Sequence, residues 1–69
     1  MADKRTITLN LSETEMAVLD ELSQKKELSK TGVIRQALRL YQLVDSRLAA
    51  GEKFFFEDRE KKKSEVMML

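Results

Sequence analysis

Three small polar side chains near the start of the chain, Thr6, Thr8 and Asn10, are spaced two residues apart. Their hydroxyl and carboxamide groups donate and accept hydrogen bonds without carrying a charge. A carboxamide can bond an adenine edge at two points, and a threonine methyl group can pack against the methyl group of thymine. The chemistry that these residues offer is recognition by hydrogen bonding, provided that one surface presents all three.

A second polar cluster, Ser29-Lys30-Thr31-Gly32, stands where an apolar helical pattern begins. Ser29 is a typical N-cap residue, so we expect it to start a helix. The first turn of a helix has backbone amides without intrahelical partners, and the helix dipole makes this end positive. Such an end, with a lysine beside it, is suited to hold a phosphate group.

The composition argues against catalysis and against a metal site. The chain of 69 residues has no cysteine and no histidine, which removes thiolate nucleophiles, the usual general base and the usual zinc ligands. Its only glycines are Gly32 and Gly51, so it has no glycine-rich loop for a nucleotide. We therefore predict a protein that is not an enzyme and that uses no cofactor or metal.

Residues 5–11 alternate polar and apolar side chains, which predicts a short strand with the three polar groups on one face. Directly after it, Ser12 and Glu15 have the spacing of a capping box. Apolar residues then recur at helical spacing, and they predict a first helix over about residues 13–26. A strand this short, with no hairpin partner nearby, is not stable alone.

A second helix is predicted from its N-cap at Ser29 to a stop at Gly51. Its apolar side chains cover more than one face, so it needs more than one neighbour, and the first helix supplies only one. If two copies pair their strands antiparallel about a two-fold axis, the strand gains a hydrogen-bonding partner and the helix gains further neighbours. We predict an intertwined homodimer of four helices, whose two-stranded ribbon has a size that the major groove of B-DNA admits.

Charge is unevenly distributed, although the net charge is only +1. Residues 12–28 contain five acidic and two basic residues, whereas residues 29–48 contain four basic residues and one acidic residue. An acidic first helix followed by a basic segment allows a positive face on a nearly neutral molecule. No apolar run is long enough for a membrane span and the start lacks a secretory signal, so we expect a cytoplasmic protein.

In order, the strand, the capped helix, the turn and the start of the second helix resemble the ribbon-helix-helix family of MetJ, Arc and CopG. The resemblance covers about residues 4–45. It implies a mainly α fold of one strand and two helices per chain, an intertwined dimer with an antiparallel ribbon, and binding to double-stranded DNA. The sequence leaves open whether the dimers assemble into higher-order complexes on DNA.

The resemblance implies base-reading roles for Thr6, Thr8 and Asn10, and phosphate-binding roles for Lys4, Arg5, Ser29, Lys30, Thr31 and Gly32. The chemistry of the base-reading set favours an operator that contains A·T pairs. The turn between the helices departs from the family's pattern, because the position that usually holds glycine holds Glu27. That residue must tolerate a strained backbone, or the turn must differ.

Residues 52–69 form a C-terminal extension beyond the DNA-binding domain predicted over residues 1–51. Two apolar runs flank a charged connector there, which predicts a β-hairpin. Adjacent aromatic residues are prone to aggregation unless something covers them. Either the dimer covers them, or they dock a partner protein through Phe54, Phe55, Phe56, Val66, Met67 and Met68.

The leading functional hypothesis is a sequence-specific transcriptional regulator that acts as a repressor at a palindromic operator. The alternative is the antitoxin of a toxin–antitoxin pair, which binds its toxin through the C-terminal tail and regulates its own operon. A purely structural oligomerisation module is the third hypothesis. A shift of DNA mobility by the protein would separate the module from the other two.

Overall fold

The computed structural model describes residues 4–68. Residues 1–3 of the predicted DNA-binding domain and residue 69 of the predicted C-terminal extension therefore lie outside the described range. Its elements are, in order, α1 (Glu13–Lys26), α2 (Lys30–Ala49), β1 (Phe55–Glu57) and β2 (Lys63–Glu65). Both predicted helices and the predicted C-terminal hairpin are therefore present.

The start of α1 is fixed by the predicted capping box. The Ser12 hydroxyl accepts a hydrogen bond from the amide of Glu15 at 3.1 Å, and the Glu15 carboxylate accepts one from the amide of Ser12 at 2.9 Å. Ser12 keeps an extended backbone, so helical geometry begins at Glu13. These two bonds satisfy amides that the helix itself leaves without partners.

The turn after α1 contains Glu27 in a left-handed conformation, with φ 53° and ψ 40°. The amide of Leu28 donates to the carbonyl of Ser23 at 3.1 Å, and the amide of Glu27 donates to that of Gln24 at 3.3 Å. This is the pattern of a Schellman motif, and the Ser23 hydroxyl closes it by donating to the carbonyl of Leu28. The turn thus keeps a geometry that usually takes glycine, and Glu27 tolerates the strain.

The second helix, α2, has the two ends that the sequence predicts. The Ser29 hydroxyl caps it by accepting the amide of Gly32 at 3.0 Å. At the other end, the amide of Gly51 donates to the carbonyl of Leu48 at 3.0 Å. Gly51 has φ +91°, a backbone that residues with a Cβ rarely adopt, so the helix stops there.

The C-terminal hairpin does not pair the two apolar runs that predicted it, because β2 lies in the charged connector before Val66. Strands β1 and β2 pair antiparallel, with Phe56 opposite Ser64. The amide of Val66 donates to the carbonyl of Phe54 at 2.7 Å, just beyond the strand pairing. The aromatic run is therefore paired mainly with polar residues, and the two methionines that follow Val66 lie outside β2.

Contacts within the chain divide it into two units, Met1–Val33 and Ile34–Leu69. In the first unit the buried apolar side chains are Leu19 and Val33, and in the second it is Val44. Each unit also exposes several large apolar side chains, which include Ile7 in the first and Leu38 in the second. Apolar surface of this extent is typical of a chain that has an interaction partner.

Candidate nucleic-acid interface

Residues 5–11, the predicted strand, form no strand within the single chain. Their backbone amides and carbonyls make no hydrogen bond to any residue in the described range 4–68. A strand is defined by its pairing with a second strand, and the described part of the chain contains no partner for this one. The N-terminal strand and the ribbon therefore stay predictions.

The side chains of this segment are exposed on both faces. Thr6, Thr8 and Asn10 are open to solvent, as a recognition surface requires. The apolar residues between them are exposed as well, Ile7 by 77% and Leu9 by 53%. The segment thus offers polar groups for recognition and apolar groups that only a second molecule would cover.

Lys4 and Arg5, the predicted basic arm, are exposed. Neither side chain forms an ion pair or a hydrogen bond with another residue of the described part of the chain. Their charges are accordingly available to an external anion. Binding of phosphate by these residues stays a prediction.

The predicted phosphate-binding cluster forms the first turn of α2. Ser29 uses its hydroxyl to accept the amide of Gly32 and its carbonyl to accept the amide of Val33, each at 3.0 Å. The amides of Lys30 and Thr31 have no acceptor within residues 4–68. Two free amides at the positive end of an exposed helix have the geometry that accepts an anion.

Gly32 has a structural explanation in the same turn. A Cβ placed on Gly32 would lie 3.2 Å from the Ser29 hydroxyl oxygen and 3.6 Å from the Cβ of Leu28. Glycine at this position therefore leaves room for the capping hydroxyl of Ser29. The helix cap requires this space whether or not a phosphate binds. A direct role of Gly32 in phosphate binding stays a prediction.

Lys30 has a partner that the sequence did not indicate. Its ammonium nitrogen Nζ lies 3.0 Å from Oδ1 of Asp20, on α1. The two residues are ten positions apart, and only the folded turn brings them together, so neither helical spacing nor the charge count predicts the pair. In the chain without DNA, the lysine that we expect to bind phosphate is therefore already in an ion pair.

The aromatic run of the tail is partly packed and partly exposed. The rings of Phe54 and Phe56 contact each other, with centroids 5.6 Å apart. Phe54 also lines a cleft of about 240 Å³ with residues that include Leu40 and Leu43 of α2. Phe56 is nevertheless 65% exposed and Met67 79% exposed. The predicted docking residues therefore do not form one buried cluster.

A double hydrogen bond closes the end of α2 in the second unit. The Arg47 guanidinium donates to the Glu52 carboxylate at 2.6 and 2.8 Å. These hydrogen bonds hold the pKa of the Glu52 carboxyl below its ordinary value and the pKa of Arg47 above its own. Arg47 is thus engaged by a neighbour at this helix end.

Within residues 4–68, no three side chains of the types that bind metals are grouped to hold an ion. In the same range, none of the helices combines the length and the hydropathy of a transmembrane segment.

Residues 5–42 match the family described as ribbon-helix-helix protein, copG family. The match runs from the predicted strand through α1 and the turn into α2, and it spans more than half of the chain. The chain belongs to this family. Its members are DNA-binding proteins that act as dimers, generally transcription regulators or antitoxins. No curated protein and no solved structure gives a significant match.

Proposed function

We propose that this chain is a sequence-specific repressor of transcription that binds a palindromic operator as an intertwined homodimer. In this proposal an antiparallel ribbon, one strand from each copy, enters the major groove. The observation that supports it most is the family match over residues 5–42, because that span contains the proposed base-reading residues and the start of α2.

The dimeric ribbon is supported by the unpaired backbone of residues 5–11 and by the exposure of Ile7 and Leu9. In a two-fold pair, the unpaired amides and carbonyls of residues 5–11 would bond to those of the second copy. Ile7 and Leu9 would then be buried against the helices. Full burial of a side chain of this size contributes about 1.5–3 kcal/mol.

The same pairing would turn Thr6, Thr8 and Asn10 of both copies outward on one face. A two-stranded ribbon fits the major groove, where each base pair presents a distinct set of donors and acceptors. Because the two copies are related by a two-fold axis, the DNA they read would be palindromic. The short polar side chains of the ribbon favour short half-sites that contain A·T pairs.

Phosphate contacts would fix the register of the ribbon on the DNA without carrying sequence information. The free amides of Lys30 and Thr31 support one such contact at the start of α2, with the ammonium of Lys30 beside them. The exposed charges of Lys4 and Arg5 support a second contact next to the ribbon. Each lysine or arginine that displaces a bound cation from a phosphate makes affinity more sensitive to salt.

Selection of bound sites from random duplex DNA tests the proposed function. We expect enrichment of a short palindrome, with A·T pairs at the positions read by Asn10. Recovery of bound DNA without an enriched sequence, at a salt concentration that weakens non-specific binding, would contradict the proposal.

The roles of individual residues are separated by two kinds of variant. Asn10→Ala and Thr8→Ala should relax the preference for the selected site, by about 1–3 kcal/mol for a lost bidentate contact. Lys30→Ala should weaken binding to all sequences and reduce the salt dependence. Equal losses on selected and random DNA for both kinds of variant would argue against this division of roles.

The antitoxin function is a second candidate, and the exposed aromatic tail favours it. Phe56 and Met67 are solvent-exposed on an extension that lies beyond the family match. An apolar surface of this kind is suited to a partner protein. The candidate is compatible with DNA binding, since the two activities would use different segments.

Co-purification from the native cells tests the antitoxin candidate. The full chain should retain one small protein in stoichiometric amount, and a chain that lacks residues 52–69 should lose it while still binding the selected DNA. Retention of the partner by the shortened chain would rule out docking through the tail.

A further inference from the structure

The contact between Asp20 and Lys30 joins α1 to the start of α2. Oδ1 of the carboxylate lies 3.0 Å from Nζ of the ammonium, and the two side chains are 48% and 57% exposed. Among residues 4–68 no other ion pair connects these two helices. Because both groups are open to solvent, the pair can separate without unfolding of the helices.

The site of this ion pair is also the proposed phosphate site. Lys30 is the first residue of α2, and its amide and that of Thr31 have no acceptor within the described residues. A carboxylate and a phosphate are both oxyanions, and each pairs with an ammonium through charge-assisted hydrogen bonds. Asp20 and a DNA phosphate would therefore compete for the same ammonium.

We propose that Asp20 is an internal competitor for phosphate that lowers the affinity of the protein for DNA of every sequence. This inference rests on the proposed DNA-binding function. Asp20 is a positioning residue, since it acts through its contact with Lys30. By weakening a contact that carries no sequence information, it leaves a larger share of the total binding free energy to the base-reading residues.

The competition has a signature in salt dependence. When Lys30 leaves Asp20 for a phosphate, the phosphate releases a cation but the freed carboxylate attracts one. Without Asp20, each phosphate contact at Lys30 would contribute about 0.9 to the slope of log affinity against log salt concentration. Removal of the carboxylate should therefore steepen the slope by up to about 0.9 per protomer, or about 1.8 per dimer.

The size of the effect on affinity follows from the exposure of the pair. An exposed ion pair changes an equilibrium constant by a factor of about 1.4 to 5. With one pair in each protomer, Asp20→Asn should tighten binding of a dimer to DNA by about 2- to 30-fold. The gain should be the same on a selected site and on a random duplex, because phosphates are common to both.

Glu21→Gln provides the matched control. Glu21 is the neighbouring acid on α1, and its carboxylate pairs with Lys25 at 2.9 Å. This substitution removes the same charge and frees one lysine, but that lysine is not at the start of α2. It therefore reports the general effect of a less acidic helix on DNA binding.

The experiment measures affinity and salt slope for the full-length protein on one selected duplex and one random duplex. The variants are Asp20→Asn, Asp20→Ala, Glu21→Gln and Lys30→Ala, and the double variant Asp20→Asn with Lys30→Ala. Two substitutions at Asp20 guard against a folding defect in either one, and thermal unfolding of each variant checks the fold. We expect both Asp20 variants to bind more tightly and with a steeper slope than Glu21→Gln.

Three results would overturn the inference while leaving the proposed function intact. One is a gain for Asp20→Asn no larger than that for Glu21→Gln. Another is a gain that persists in the Lys30→Ala background, and the third is an unchanged salt slope. A wild-type protein that binds neither duplex at low salt would instead overturn the proposed function itself.

Discussion

At the scale of single residues, Glu27 occupies a backbone position that is unfavourable for its type. A left-handed conformation costs a residue with a Cβ about 1–2 kcal/mol, and Glu27 adopts it at φ 53°. The two hydrogen bonds of the Schellman motif, from the amides of Glu27 and Leu28, hold it there. The strain is local, so its removal should stabilise the domain without moving the helices.

We expect Glu27→Gly to raise the free energy of unfolding by about 0.8 kcal/mol. This is the relieved strain of about 1–2 kcal/mol less the extra entropy that glycine gains in the unfolded chain, about 0.4–1 kcal/mol. Urea unfolding at a fixed chain concentration measures it. Lys26→Gly, in the last turn of α1, is the control and should be destabilising by about 0.5–1 kcal/mol. Destabilisation by both substitutions would mean that the turn is not left-handed.

A second effect at this scale depends on pH. Hydrogen bonds from the amide and hydroxyl of Ser12 hold the pKa of the Glu15 carboxyl below its ordinary value of 4.5. The folded chain therefore binds this proton less readily than the unfolded chain does. The resulting stabilisation is complete above the ordinary pKa and is lost as the pH falls through the lowered one.

We expect the stability advantage of wild type over Glu15→Gln to shrink as the pH falls from 6 to 3. Glutamine keeps the reciprocal hydrogen bond of a capping box but not the charge, so the comparison isolates the carboxylate. Urea unfolding at a series of pH values measures it. Glu13→Gln removes a charge from the same turn without a bond to Ser12, and it serves as the control. An advantage that does not change with pH would contradict the assigned role of Glu15.

Caps and turns were predictable because they depend on residues close in sequence. Ser12, Ser29 and Gly51 signal helix ends through bonds that span three to five residues, and the structure places all three at those ends. The pair of Lys30 and Asp20 was not predictable, since it depends on the angle that the turn sets between two helices. Local patterns carry no information about that angle.

At the scale of elements, the C-terminal hairpin depends on its turn. The Asp58 amide donates to the carbonyl of Lys62 at 2.9 Å, and the Lys61 amide donates to that of Asp58 at 3.0 Å. Lys61 has φ 64°, which makes this a type I turn followed by a left-handed residue. The turn sets the register, and this is why the pairing differs from a simple match of apolar runs.

We expect Lys61→Gly to stabilise the hairpin. Glycine removes the strain at Lys61, as in the α1 turn, and a gain of about 0.5–1 kcal/mol would slow hydrogen exchange at the Asp58 amide by about 2- to 5-fold. Exchange of that amide, followed by NMR, measures the effect. Lys62→Gly is the matched control, because Lys62 has no positive φ, and it should speed exchange. Faster exchange in both variants would contradict this turn geometry.

For the molecule as a whole, the proposed ribbon requires a second copy of the chain. The sequence predicted that requirement from a strand without a partner and a helix with two apolar faces. The single chain is consistent with a requirement for a second copy, since Ile7 and Leu9 are exposed and the backbone around them is unpaired. The pairing itself is a property of two chains, so no feature of one chain can display it.

Spin-label distances in the DNA-free protein test whether residues 5–11 of two copies pair antiparallel. The chain has no cysteine, so Thr6→Cys, Thr8→Cys and Asn10→Cys each place one nitroxide per copy. If the segments pair antiparallel about a two-fold axis, the distance between labels will be shortest nearest the axis. It will grow by about 6.6 Å for each residue away from the axis. The same distance at all three positions, or no coupling between labels at all, would contradict antiparallel pairing of two copies.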